Sequence, residues 1–94
     1  MLYNWDENKR NSNIQKHGID FVDAAEIFSD PNRIEAVDER TDYGEERLQT
    51  IGYALPGILF VVYTYRDNKS KRRLISARKA SKKEQALYNS QIGQ

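Results

Sequence analysis

The sequence predicts an α+β fold in which a run of antiparallel strands follows two helices and precedes a third. Three observations carry this. Leu59 to Tyr65 is apolar or aromatic at nearly every position, with several β-branched residues, as a strand covered on both faces requires. Asp67 to Lys71 then carries turn formers and charge, and Leu74-Ile75-Ser76-Ala77 resumes a β pattern, so the chain folds back on itself. Upstream, Phe21, Ala24, Ala25 and Phe28 recur at the i, i+3, i+4, i+7 spacing of one buried helix face. The predicted order is β-α-α-β-β-β-β-α, with four to five strands, the helices packed on one face of the sheet, and a single domain over residues 1–94.

Leu2 to Trp5 reads as a short first strand. Asp6 is placed to cap a helix that runs to about His17, with Gly18 as the residue that ends it. The middle of this helix is polar, so tertiary contacts must hold it. Asp20 opens the second helix, which Asp30-Pro31-Asn32 stops, because proline lacks an amide donor and pushes its predecessor out of the α region. Arg33 to Glu39 alternates loosely as a strand, and Arg40 to Gly44 reads as a loop. The next strand runs from Glu45 to about Leu55, where Pro56-Gly57 matches the central pair of a type II turn. Ser81 with Glu84 forms a capping box for the last helix, whose small apolar face is Ala86, Leu87 and Tyr88.

Bulk properties exclude several classes. The absence of cysteine rules out disulfides and thiolate metal sites, and a single histidine rules out a His-rich metal centre. No glycine-rich phosphate loop and no nucleophile elbow occur. No cofactor and no metal are expected. Without a signal-peptide pattern or a run of bilayer length, the protein is expected to be soluble and cytoplasmic, with no membrane contact. The net charge is only +1, but it is unevenly spread. Through Phe60 there are twelve Asp and Glu against six Lys and Arg; from Val61 onward there are nine Lys and Arg against two acids. One side of the fold should therefore carry a positive potential suited to a polyanion or an acidic partner.

The register sharpens this. A two-residue turn at Pro56-Gly57 pairs Leu55 with Ile58 and Arg47 with Arg66, and a five-residue loop at 67–71 sets Arg66 opposite Arg72. Arg47, Arg66 and Arg72 would then share one face at one end of the sheet, where facing cations invite an anion. A slip of one residue would send a member of the set to the other face. Arg78 lies six residues beyond Arg72, roughly 20 Å along the strand, and should fall outside the cluster. Converging guanidinium groups can hold a phosphodiester and stabilise its pentacoordinate transition state. That suits metal-free RNA cleavage by the ribose 2′-hydroxyl, with Glu45 as candidate base and His17 as candidate proton carrier. Lys71, Arg72, Arg73 and Lys16 are candidate ligands for the RNA backbone, and Trp5, Tyr63 and Tyr65 are candidates for stacking on bases. The plainer readings are an ion-pair partner for Glu45, a helix-terminal residue for His17, core packing for the aromatics, and a strand-to-helix tie for Arg78.

Tyr3-Asn4-Trp5-Asp6, Asn13, Lys16-His17-Gly18-Ile19, Phe21, Gly44-Glu45-Glu46-Arg47, Ile51-Gly52, Val62-Tyr63-Thr64, Arg66, Ile75-Ser76-Ala77-Arg78-Lys79-Ala80, Glu84 and Tyr88 together resemble the BrnT family of bacterial toxins. The resemblance spans almost the whole chain. It implies a RelE-like fold, ribonuclease activity that inhibits translation, and neutralisation by a BrnA-like antitoxin with a ribbon-helix-helix part, through which alone the pair would reach operator DNA. It marks His17, Glu45, Arg47, Arg66 and Arg78 as the positions to test. The competing reading is a non-catalytic or degenerate toxin-fold module that binds an acidic protein or nucleic acid through its basic face.

Overall fold

The computed structural model describes residues 2–39, 44–55 and 57–92. The expected order appears: β1 (Leu2–Asn4), α1 (Glu7–His17), α2 (Phe21–Ala24) continued by a 3₁₀ turn (Ala25–Ser29), β2 (Ile34–Val37), β3 (Leu48–Ala54), β4 (Gly57–Arg66), β5 (Lys71–Lys79) and α3 (Lys82–Ile92). The five strands form one sheet in the order β1-β5-β4-β3-β2. All neighbours are antiparallel except β1, which joins β5 in parallel and covers only Lys71 to Arg73.

Local chemistry sets the helix ends. The Asp6 carboxylate accepts from the amides of Asn8 and Lys9, and Gly18 closes α1 in the left-handed region at φ 72°. Asp20 caps α2 by accepting from the Val22 amide. Ser81 and Glu84 cap α3 reciprocally, with the Ser81 amide donating to Glu84 at 2.8 Å and the Glu84 amide donating to Ser81 at 3.2 Å.

β4 is buried on both sides, as its apolar run requires. Its odd positions Leu59 and Val61 pack with Ile19, Phe21, Ala24 and Ile27 beneath the first two helices. Its even positions Phe60 and Val62 pack with Ile51, Ala80 and Tyr88 beneath α3. The expectation of helices on one face is therefore corrected: α1 and α2 lie on one side and α3 on the other, because both faces of the central strand are apolar and each needs a cover.

Both hairpin registers also differ from expectation. Ala54 pairs with Gly57, so Gly57 is already in β4, without positive φ, and the connection is 55–56; Pro56 lies outside the described residues, as do 40–43 of the preceding loop. Leu48 consequently faces Tyr63, and Arg47 lies level with Thr64 instead of Arg66. This shift is two residues, which preserves the face. The second shift is one residue, which does not: Arg66 pairs with Lys71 and Tyr65 with Arg72. Asp67, Asn68 and Lys69 all adopt left-handed φ (53°, 54° and 69°), and the Ser70 amide donates to the Asp67 carbonyl, which closes the tip in four residues.

Candidate active site

The segment leading into β3 is held from two sides. The Asp38 amide beyond β2 donates to the Arg47 carbonyl at 2.8 Å, and the buried Thr64 hydroxyl on β4 donates to the Glu46 carbonyl at 2.6 Å. Fixed in this way, Glu45 places its carboxylate between two guanidinium groups: Arg66 Nη1 donates to Oε1 at 3.0 Å and Arg47 Nε to Oε2 at 3.5 Å. Arg66 remains 41% exposed at the side chain and Arg47 21%, so solvent reaches one cation more than the other. The anion that two neighbouring arginines require is here the protein's own carboxylate.

Lys71, opposite Arg66, and Arg73, opposite Thr64, project from the same face. Lys71 Nζ lies 3.1 Å from the Asp67 carboxylate, and Arg73 Nη1 donates to Asn4 Oδ1 at 3.4 Å. Arg72, expected in this cluster, points to the opposite face, since the four-residue tip reverses its side relative to a five-residue one. There its guanidinium carbon lies 4.2 Å from the centre of the Phe28 ring, and its Nε is buried with no hydrogen-bond partner among the described residues.

The other candidates sit elsewhere. Arg78 pairs with Phe60, six residues of strand from Arg66 and thus roughly 20 Å away. It stacks over the Phe60 ring at 4.2 Å and donates to both oxygens of Glu84 at 2.8 and 2.9 Å, holding that carboxyl below its ordinary range. It ties β5 to α3. His17 lies with Lys16 in a hollow against Ile75 and Ser76. Burial, then the charges of Lys16 and Arg78, hold its imidazole below its ordinary value of 6.5, so it is neutral at pH 7. His17 is therefore grouped with Arg78 and Lys16, and not with the arginine pair.

Of the aromatics proposed to stack on bases, Tyr63 is fully buried, and Trp5 packs edge-on to Phe21 while its indole N–H donates to Glu7 at 2.9 Å. Tyr65 stays partly exposed beside Lys69, 5.8 Å from its ring centre. Sequence reasoning did not find the cluster around Phe28. Tyr3 stacks on that ring at 5.5 Å, Tyr63 meets it edge-on at 4.9 Å, and the Tyr63 hydroxyl donates to Glu35 at 2.6 Å. Burial, with the Glu35 carboxylate, pushes the Tyr63 phenol well up, so it is a donor at any physiological pH. Glu35 also pairs with Arg33. Thr64 stood in the Val62-Tyr63-Thr64 motif, but its place in a β-propensity run carried no signal of its hydrogen bond to Glu46.

Among the described residues no group of His, Asp and Glu is arranged to hold a metal ion, and no helix is long and apolar enough to cross a membrane. The chain matches the family model for the ribonuclease toxin BrnT of type II toxin-antitoxin systems over residues 5–84. No curated relative matches it.

Proposed function

The chain belongs to the BrnT family, the ribonuclease toxins of type II toxin-antitoxin systems, and we propose that it cleaves RNA without a metal ion at the Glu45 carboxylate bridged by Arg47 and Arg66. The observation that supports this reading is the bridge itself, a carboxylate flanked by two guanidinium groups at a solvent-reached end of the sheet. An entering phosphodiester competes for the guanidinium donors and frees Glu45 to face the ribose. Glu45 takes the proton of the 2′-hydroxyl, the O2′–P bond forms as the P–O5′ bond breaks, and the 5′-oxygen takes a proton from solvent. The products are a 2′,3′-cyclic phosphate and a 5′-hydroxyl end. Arg66 and Arg47 stabilise the added negative charge of the pentacoordinate state, a role worth about 10²–10³ in rate for a single donor. Lys71 and Arg73, on the same face, guide the strand; Arg72, Lys16, His17 and Arg78 lie outside this centre.

The partner in this proposal is a BrnA-like ribbon-helix-helix antitoxin, through which alone the pair reaches operator DNA, and the consequence of RNA cleavage is arrested translation. Purified protein incubated with RNA in EDTA should cut it and leave 2′,3′-cyclic phosphate ends. Loss of cutting in EDTA that is restored by a divalent ion, or products with 3′-hydroxyl ends, would refute the mechanism. The satisfied state of Arg47 and Arg66 favours one second reading, a basic module that binds polyanions without turnover; it predicts salt-sensitive RNA binding with intact RNA.

A further inference from the structure

A groove of about 530 Å³ lies at the far end of β3, between Tyr53, Ala54 and Leu55 on one side and the 3₁₀ turn with Pro31 on the other. Its shape is built in. The Asp30 carboxylate accepts from the Tyr53 amide at 2.8 Å and from the Tyr88 hydroxyl, which joins the turn, β3 and α3. Those bonds outweigh the effect of burial and hold Asp30 ionised below its ordinary range, while burial and Asp30 push the Tyr88 phenol up to about 12. Close packing of Ile27 on Gly52 fixes the same turn to the strand.

The groove presents apolar surface that folding leaves uncovered: Leu55 is 76% exposed and Tyr53 50%. Its open rim is acidic. Asp23 and Glu26 are exposed, and among the described residues no cation pairs with either. No lysine or arginine lines it; the basic residues of β5 and the start of α3 lie outside it, Lys79 in a neighbouring hollow on the other side of Tyr53. A polyanion such as RNA is repelled here, and an apolar anchor flanked by positive charge fits. The groove also stands at the opposite end of the seven-residue β3 from Arg47, roughly 20 Å away.

We propose that this groove docks a basic, amphipathic segment of the antitoxin, an anchor separate from the arginine pair. The identity of the partner rests on the type II toxin reading. The test uses the purified chain, the antitoxin of its operon and a Leu55→Lys/Glu26→Lys variant; both positions are exposed, and Asp23→Lys serves as a second variant. We expect RNA cleavage within twofold of wild type in both, antitoxin affinity weakened at least 30-fold in the double variant and about tenfold in Asp23→Lys. Unchanged antitoxin affinity in both variants would overturn the proposal, as would equal loss of affinity and cleavage. A wild-type homodimer that the substitutions dissociate would also overturn it, by making a second copy the occupant. If wild type cuts no RNA, the cleavage mechanism fails, while the affinity comparison still decides the groove.

Discussion

Asn13 completes a hydrogen-bond ladder that β1 leaves unfinished. Beyond Arg73 no strand among the described residues lies beside the outer edge of β5, and the buried Asn13 carboxamide takes both polar groups of Ala77: Nδ2 donates to the carbonyl at 2.8 Å and Oδ1 accepts from the amide at 3.1 Å. Nδ2 also donates to the Ile19 carbonyl at 2.8 Å. Asn13→Ala leaves these groups buried and unpaired, so a loss of about 3 kcal/mol is expected in urea unfolding; a loss under about 1 kcal/mol would contradict this role. Gly52 is constrained by space. A Cβ there would lie 3.1 Å from the Arg33 Cβ and 3.2 Å from the Ile27 Cβ, so Gly52→Ala should cost about 2 kcal/mol by overpacking, and an unchanged unfolding midpoint would refute the contact. Both residues stood in the family motifs, yet their reasons were invisible in the sequence: each depends on a contact between segments far apart in the chain.

At the scale of elements, caps and apolar periodicity were legible because they are local. Asp6, Gly18, Asp20 and the Ser81–Glu84 box all act within four residues of the helix end they define. Turn length was not. Asp67 and Asn68 mark a turn without fixing its length, and the tip they form with Lys69 in the left-handed region moved Arg72 from the proposed site to the Phe28 face. Ile27, fully buried, was missed because the helix tightens to a 3₁₀ turn at Ala25 and the 3.6-residue period no longer applies. The Arg78–Glu84 pair joins β5 to α3. Because Arg78 lowers the Glu84 pKa, the pair stabilises the fold above the ordinary carboxyl value of 4.5, and that contribution disappears as pH falls through the lowered one. With solvent screening over the 36% exposed Arg78, Glu84→Gln should cost about 1 kcal/mol at pH 7 and less at pH 2. An equal deficit at both pH values would show that the charge is not what matters.

At the scale of the molecule, the sheet separates two chemistries along its length. The β3–β4 end carries the acidic apolar groove, and the opposite end carries Glu45, Arg47, Arg66, Lys71 and Arg73. The basic half read from composition runs the length of β5 and into α3, from Lys71 and Arg73 near Arg66 to Arg78 and Lys79 near the β3–β4 connection, while part of the acidic half lies on the turn that follows α2. The membership of the Arg47–Arg66 pair was legible because its register error was even, and of the two readings of Glu45, base or ion-pair partner for a neighbouring arginine, the structure shows the ion pair. The central claim is that these three side chains act as one unit on RNA, and a double-mutant cycle on single-turnover cleavage in EDTA tests it most directly. Arg66→Ala and Glu45→Gln should each lower the rate at least 100-fold, and the double variant should be scarcely slower than either single one. Cleavage at the wild-type rate by folded Arg66→Ala protein would contradict the account.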